Sequence, residues 1–185
     1  MGKSTTAQMF RDEGVAVHDS DAAVHAIYRG PQSEAIERAF PGSVSDGAVD
    51  RGKLAAMTLG QPQEIARLER IVHPLVQQMR RDFINAERAR GAEIAVVDIP
   101  LLYETGAEKE VDKVVVVTAS PETQRERVMA RPGMTEEKFR AILGRQLPDS
   151  EKRKRADFIV RTDLGMEAAR QDVRAIVAAL REEKN

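Results

Sequence analysis

The apolar positions of this chain fall into two kinds of run: short unbroken ones of strand length, and longer ones spaced for one face of a helix. Ile94–Val97 and Val114–Val117 are of the first kind. A strand open to water on one side would alternate apolar with polar residues, whereas a strand covered on both faces need not. Val15–His18 and Phe158–Val160 read as two shorter strands. Helices are expected from Ser4 to Glu13, where Gly14 stops the run, then after Asp19-Ser20-Asp21 as far as Tyr28, and from Pro31 to about Phe40. The turn-rich stretch from Pro41 to Gly47 precedes two more helices, one starting at Arg51 and one at Pro62, the latter interrupted by His73-Pro74. Pro74 is placed to open a long helix that Gly91 ends, with Leu75, Val76, Met79, Phe83 and Ile84 as its stripe. Further helices start at Ser120-Pro121-Glu122 and Thr135-Glu136-Glu137, and a last one runs from Gly165 to Glu182.

The order strand, helices, strand, helices, strand, helix predicts an α/β fold, a parallel sheet with helices on both faces. Four strands are visible and the chain opens on a helix, so the expectation is that a strand is missing at the front.

The length of 185 residues suits one domain with an ample core. Cysteine is absent, which excludes disulfides, thiolate metal sites and a thiolate nucleophile, and permits a cytoplasmic setting. No apolar run approaches the ~20 residues of a membrane span, and Met1 to Thr5 contain no signal-peptide core. The net charge is −1, but Arg125 to Arg155 hold ten basic residues against five acidic ones. A basic segment on an acidic body suits a small polyanionic ligand better than a duplex, although a solvated helical face has the same composition. Aromatic residues, at 4%, are too few to favour a base-stacking surface, so no nucleic-acid partner is expected.

Gly2-Lys3-Ser4-Thr5 at a helix start reads as the second half of a phosphate-binding loop. Glycine lets the backbone approach phosphates, and N–H groups at the helix start point at them. Lys3 would reach the β- and γ-phosphates and the Ser4 hydroxyl would hold Mg²⁺. A helix N-terminus with a charged tip fits the same residues. Asp19-Ser20-Asp21 follows the first visible strand, where open α/β sheets place their ligands. A carboxylate there can accept the proton of an attacking hydroxyl, or cap the next helix, and the two acids can divide these tasks. Asp98 ends a strand, either near metal-bound phosphates or as a turn cap. His73 is a substrate contact or a packing residue. Arg127, Arg131, Arg140 and Arg145 recur at helical spacings, and Arg145 is the preferred candidate to face a transferring phosphoryl group. Lys152 to Arg155 read as a solvated run.

These pieces appear in order with Leu68-Glu69, Asp98-Ile99-Pro100-Leu101-Leu102-Tyr103-Glu104, Val117-Thr118-Ala119-Ser120-Pro121-Glu122-Thr123-Gln124, Arg145-Gln146 and Ala156-Asp157-Phe158-Ile159. The ordered set resembles the dephospho-coenzyme A kinases over nearly the whole chain. The resemblance implies a P-loop kinase with a helical acceptor-binding region at about 22–90 and a lid at about 131–154. It implies ATP and Mg²⁺ as cofactors, and dephospho-coenzyme A as the acceptor, phosphorylated on its ribose 3′-hydroxyl in the last step of coenzyme A synthesis. Asp21 matches the family's catalytic base, and Gly2, Lys3, Ser4 and Thr5 its nucleotide loop. Arg145 matches the lid arginine, and His73-Pro74 the acceptor-side His-Pro. Asp19, Asp98 and Arg127 would join the substrate-binding set. The family begins with a hydrophobic strand and a full Gly-x-x-Gly-x-Gly-Lys-Ser loop; here Met1 occupies the position before Gly2. The expectation is therefore that the first strand, central in the sheet beside Val96 and Val115, and the start of the loop are missing. A monomer or small homo-oligomer is expected, with no membrane partner. The competing readings are another P-loop kinase acting on a nucleoside monophosphate or small metabolite, and a non-catalytic nucleotide-binding chain.

Overall fold

The computed structural model describes residues 2–183. In chain order the elements are α1 (Lys3–Asp12), β1 (Ala16–Asp19), α2 (Ser20–Arg29), α3 (Ser33–Ala39), β2 (Val44–Ser45), β3 (Ala48–Val49), α4 (Arg51–Thr58) and α5 (Pro62–Ala89). They continue with β4 (Ala95–Asp98), a 3-10 turn (Ala107–Glu110), β5 (Val115–Thr118), α6 (Pro121–Met129), α7 (Glu136–Leu143), α8 (Asp149–Arg155), β6 (Phe158–Arg161) and α9 (Met166–Glu182). The chain divides into two compact units, one formed by the segments up to Val17 and from Glu93 onward, the other by His18–Ala92.

In the first unit β5 and β6 pair in parallel, Val115 opposite Phe158 through Thr118 opposite Arg161. Parallel neighbours need a long crossover, which α6, α7 and α8 supply. The core gathers Met9 and Phe10 of α1, Val15, Val160, and Ala169, Val173, Ile176 and Val177 of α9, with Leu180 packed against it. These α9 positions recur at helical spacing, which is why one face of that helix is buried. Val160 and Val173 are completely buried, each contributing ~1.5–3 kcal/mol of transfer free energy.

The parallel pairing and the flanking helices are those expected from the sequence. Among the described residues the strands make three two-stranded sheets, β1 with β4, β2 with β3, and β5 with β6. β4 and β5 are not paired, so each keeps an edge without ladder bonds. Accordingly Val96 and Val97 are half-buried and Ala95 is exposed, where the unbroken apolar run predicts cover on both faces.

The second unit is helical, built around Ile27, Ile36, Phe40, Val49, Leu54 and Val72. Two corrections to the sequence reading fall here. The stretch read only as turns contains a hairpin, Val44 opposite Val49 and Ser45 opposite Ala48. Its tip, Asp46-Gly47, has φ of 52° and 76°, the double left-handed geometry that suits a two-residue hairpin turn. The second correction concerns α5, which runs 28 residues without a break and carries Pro74 inside it. An interior proline removes a hydrogen bond and costs roughly 3 kcal/mol. The stripe Leu68, Ile71, Val72, Leu75, Val76 and Met79 packs on the same core from both sides of the proline, and that burial outweighs the local penalty. Among the described residues no helix is long and apolar enough to cross a membrane.

Candidate active site

The start of α1 has no side-chain cap. Its N-cap is Gly2, which has no side chain to offer, and the first turn carries no acidic residue. The first-turn N–H groups therefore have no side-chain cap, and the helix dipole favours negative charge there. Gly2 sits at φ 89°, and a Cβ added to it would lie 2.9 Å from Cγ2 of Thr162. Only glycine allows both the backbone angle and the close approach.

Thr162, immediately after β6, is itself fixed. Its N–H and its hydroxyl donate to the Thr118 carbonyl at 2.9 and 3.1 Å. Arg127 of α6 donates through Nη1 to the Thr162 hydroxyl at 2.9 Å and through Nη2 to its carbonyl at 2.7 Å. Thr162 escapes the sequence reading because its role depends on a neighbour some 160 positions away in the chain.

Lys3 points from the first turn of α1 to the end of β4, where its Nζ lies 2.5 Å from Oδ1 of Asp98. The Asp98 side chain is 9% exposed and that of Lys3 47%, so a nearly buried carboxylate holds a lysine whose other side faces water. Ser4 and Thr5 are exposed on the same turn. Ser4 hydroxyl and Asp98 carboxylate are hard oxygen donors of the kind Mg²⁺ prefers. No cluster of three or more His, Cys, Asp or Glu that could hold a metal occurs among the described residues. Mg²⁺ carried by substrate phosphates and bound through one or two protein oxygens needs no such cluster, so these residues fit that ion.

The segment expected to act as a lid, about 131–154, is tied down at several points. Arg125 of α6 reaches Glu136 of α7 at 2.7 Å. At the other end, Asp149 accepts the Thr118 hydroxyl at 2.9 Å, and Glu104 takes the Leu147 N–H at 2.7 Å and the Lys152 ammonium at 2.9 Å. Burial pushes the Glu104 carboxyl up, but Lys152 and the Leu147 N–H outweigh it and hold the group below the usual carboxylate range. Arg153 pairs with Asp149, Lys154 with Glu151, and Arg155 stacks over the Tyr103 ring. Lys152 to Arg155 are thus partnered; Arg153, Lys154 and Arg155 stay exposed, as a solvated run does, and Lys152 is half-buried. Arg145 is exposed in the turn that follows α7, off the helix that its spacing predicts.

The remaining candidates belong to the second unit. Asp19 is the N-cap of α2, and its Oδ1 accepts the N–H groups of Asp21 and Ala22 at 2.9 and 3.0 Å. That leaves the Asp21 carboxylate exposed in the first turn of α2. His73 and Pro74 are exposed on α5, so His73 is not the packing residue that a helix junction would have made it.

A family model described as dephospho-CoA kinase matches residues 1–168. The chain belongs to the dephospho-CoA kinase family. It is 58% identical to a dephospho-CoA kinase of Mesorhizobium japonicum, over 98% of this chain and 92% of that one. With the corresponding enzyme of Nitrobacter winogradskyi it shares 54% over 97% of this chain and 90% of the other. Among solved structures, TT1252 from Thermus thermophilus superposes with a TM-score of 0.76 at 35% identity, covering 96% of this chain and 91% of that one. The dephospho-CoA kinase from Campylobacter jejuni, at 23% identity and a TM-score of 0.69, shares the fold over 97% of this chain and 91% of its own. The α/β fold expected from the strand and helix order is shared with these structures, and the P-loop kinase architecture is the one that the resemblance implies.

Proposed function

We propose that this chain transfers the γ-phosphoryl group of ATP to the ribose 3′-hydroxyl of dephospho-CoA, the last step of coenzyme A synthesis. The observation that carries the reading is the uncapped start of α1, with Gly2 in a left-handed conformation and Lys3 held at the nearly buried Asp98. Membership of the dephospho-CoA kinase family supplies the acceptor.

In this reading the phosphates of ATP lie on the first-turn N–H groups of α1, with Lys3 against the β- and γ-oxygens. Mg²⁺, when bound, would neutralise charge on the same phosphates, and Ser4 with Asp98 would hold it. The acceptor is taken up by the helical unit, residues 18–92, with His73 among its contacts. Asp21 accepts the 3′-hydroxyl proton as the 3′-oxygen bonds to the γ-phosphorus. The bond from that phosphorus to the β–γ bridging oxygen breaks, and ADP leaves with the electron pair. Arg145, on the lid turn, neutralises charge on the phosphoryl group in flight, and lid closure excludes water as a competing acceptor.

Mass-spectrometric detection of coenzyme A from ATP, Mg²⁺ and dephospho-CoA tests the proposal, beside a panel of nucleoside monophosphates. Coenzyme A from dephospho-CoA, with no transfer to the monophosphates, is the expected result. Transfer to a monophosphate alone would move the chain to a different acceptor class, and binding of ATP with no transfer to any acceptor would make it a nucleotide-binding chain.

A further inference from the structure

Among the described residues, Asp46 and Leu101 are the residues other than glycine with a left-handed backbone, at φ 52° and 53°. Asp46 is at the tip of the β2–β3 hairpin, and its short polar side chain tolerates the conformation. For a bulky leucine the same backbone is an outlier, because Cβ comes too close to the following carbonyl oxygen. Leu101 is also 43% exposed and packs against neither hydrophobic core. An exposed leucine alone needs no explanation; one that is also held in a strained conformation does.

The turn after Leu101 is what holds it. The Leu101 carbonyl accepts the N–H of Thr105 at 3.0 Å and the Thr105 hydroxyl at 2.9 Å. The same hydroxyl lies 3.3 Å from the Leu102 carbonyl, which accepts the N–H of Ala107 at 3.0 Å. The Tyr103 carbonyl accepts the N–H of Gly106 at 3.3 Å. Successive carbonyls are thus tied into one turn, while the Leu101 side chain stays open to solvent.

Leu101 stands three residues after Asp98, the carboxylate that holds Lys3, and three residues span at most about 11 Å. An apolar side chain within that reach offers nothing to phosphates, which need donors, or to Mg²⁺, which needs oxygen ligands. The acceptor ribose, with its 3′-hydroxyl at the γ-phosphorus, carries an adenine on the same ring. The adenine of ATP lies at the far end of the triphosphate from that phosphorus. The acceptor's own base is therefore the apolar surface nearest the reacting hydroxyl.

We propose that Leu101 is an apolar contact for the adenine base of the acceptor, with Thr105 as the residue that positions it. The proposal rests on the reading of dephospho-CoA as acceptor. A contact on the base, away from the reacting atoms, helps to hold the hydroxyl in line for transfer.

Steady-state kinetics and thermal unfolding of Leu101 variants separate the side chain from the backbone that carries it. Leu101→Asn is close in shape, tolerates the left-handed conformation and is polar. It should raise KM for dephospho-CoA about tenfold, leave KM for ATP within about twofold, and melt no lower than wild type. Leu101→Met keeps an apolar surface and should stay within about threefold of wild type. Leu101→Ala and Leu101→Gly both lose the side chain and should share the rise in KM. Only Leu101→Gly relieves the backbone, so it should melt about 2–4 °C above Leu101→Ala. Thr105→Val should raise the same KM, and Thr105→Ser, which restores the hydroxyl, should bring it back. Should Leu101→Ala melt early, Leu101→Asn and Leu101→Met carry the test. Adenosine, which has the base and the hydroxyl and lacks the rest of the acceptor, is then used as a competitor of dephospho-CoA. Its inhibition constant should rise in Leu101→Asn in the same proportion as KM. An adenosine constant that does not move, or an unchanged KM for dephospho-CoA in Leu101→Asn that still makes coenzyme A, would overturn the contact and leave the acceptor reading intact. A wild-type chain that makes no coenzyme A would remove the acceptor reading and the contact with it.

Discussion

Asp19 accepts the backbone N–H of Asp21 at 2.9 Å, so the two acids of Asp-Ser-Asp divide the work between them. One carboxylate closes the start of α2, and the other is left exposed at the position proposed to take the acceptor's proton. Asp21→Asn should lower kcat about 10²- to 10⁴-fold with little change in KM for ATP or in melting temperature. Asp19→Ala should cost about 1 kcal/mol of stability through the lost cap. Parallel measurement of kcat and thermal unfolding on the two variants checks both. If Asp21→Asn changes melting alone and turns over normally, the proton has another acceptor.

That division shows where sequence reasoning reaches and where it stops. The spacing Asp-x-Asp at a strand-to-helix junction is compatible with a cap and with a base; only the hydrogen bonds reveal that Asp19 is the cap. Gly2-Lys3-Ser4 stands out as a candidate in the sequence because a phosphate loop is a local device, readable from adjacent residues. Pro74 misleads because its helix-breaking cost is local while the burial that overrides it comes from α2 and α3. The hairpin at Val44–Val49 has strands of only two residues each, too short to set up a period, and its one signal is Asp46-Gly47. Within the run Lys152 to Arg155, which is exposed from Arg153 on, the partners of Lys152 and Arg155 are not legible, because Glu104 and Tyr103 stand far away in the chain.

The contact of Gly2 with Thr162 gives a second prediction. Gly2→Ala places a methyl 2.9 Å from Cγ2 of Thr162 and forces a non-glycine residue to φ 89°. The left-handed backbone alone costs about 1–2 kcal/mol, and the clash adds to it. ATP binding should weaken, because the loop must shift to relieve both. Adding Thr162→Ser removes the clashing methyl and keeps the hydroxyl that Arg127 and the Thr118 carbonyl use. The double variant should recover the steric part of the loss and not the backbone part. Titration of a fluorescent ATP analogue into the two variants measures the split. Equal affinities would mean that Thr162 does not constrain the loop.

Lys3 and Asp98 supply a third. Lys3→Ala should lower kcat about 10²- to 10³-fold, the range for removing one donor from a developing charge. It should also lower the melting temperature, since the Asp98 side chain, 9% exposed, loses the ammonium beside it. Asp98→Asn retains shape and removes the charge, and should raise the Mg²⁺ concentration needed for half-maximal turnover more than it changes stability. Activity measured against Mg²⁺ at fixed ATP distinguishes the two. A Mg²⁺ curve unmoved by Asp98→Asn would leave Asp98 as a partner of Lys3 only.

The anchor of the proposed lid, Glu104, gives the fourth. Glu104 accepts the Leu147 N–H and the Lys152 ammonium, with 16% of its side chain exposed. Burial raises its carboxyl and these two partners lower it further than burial raises it, so its folded value lies below the ordinary one. A group lowered in this way stabilises the folded state fully above its unfolded value, about 4.3, and the contribution fades as pH falls through the lower folded value. Glu104→Gln should therefore free the turn around Leu147 at neutral pH. A charge-assisted hydrogen bond of this kind is worth about 1.5–3 kcal/mol, so the Leu147 amide should exchange with solvent at least about tenfold faster in the variant. The difference between variant and wild type, corrected for intrinsic exchange, should shrink as pH falls through the lowered folded value and the native carboxylate protonates. Water also gains access to the phosphoryl group when the lid is loose, so ATP hydrolysis without acceptor should rise in the same variant. Faster exchange with unchanged hydrolysis would show that the Glu104 anchor holds the segment and does not govern its closure.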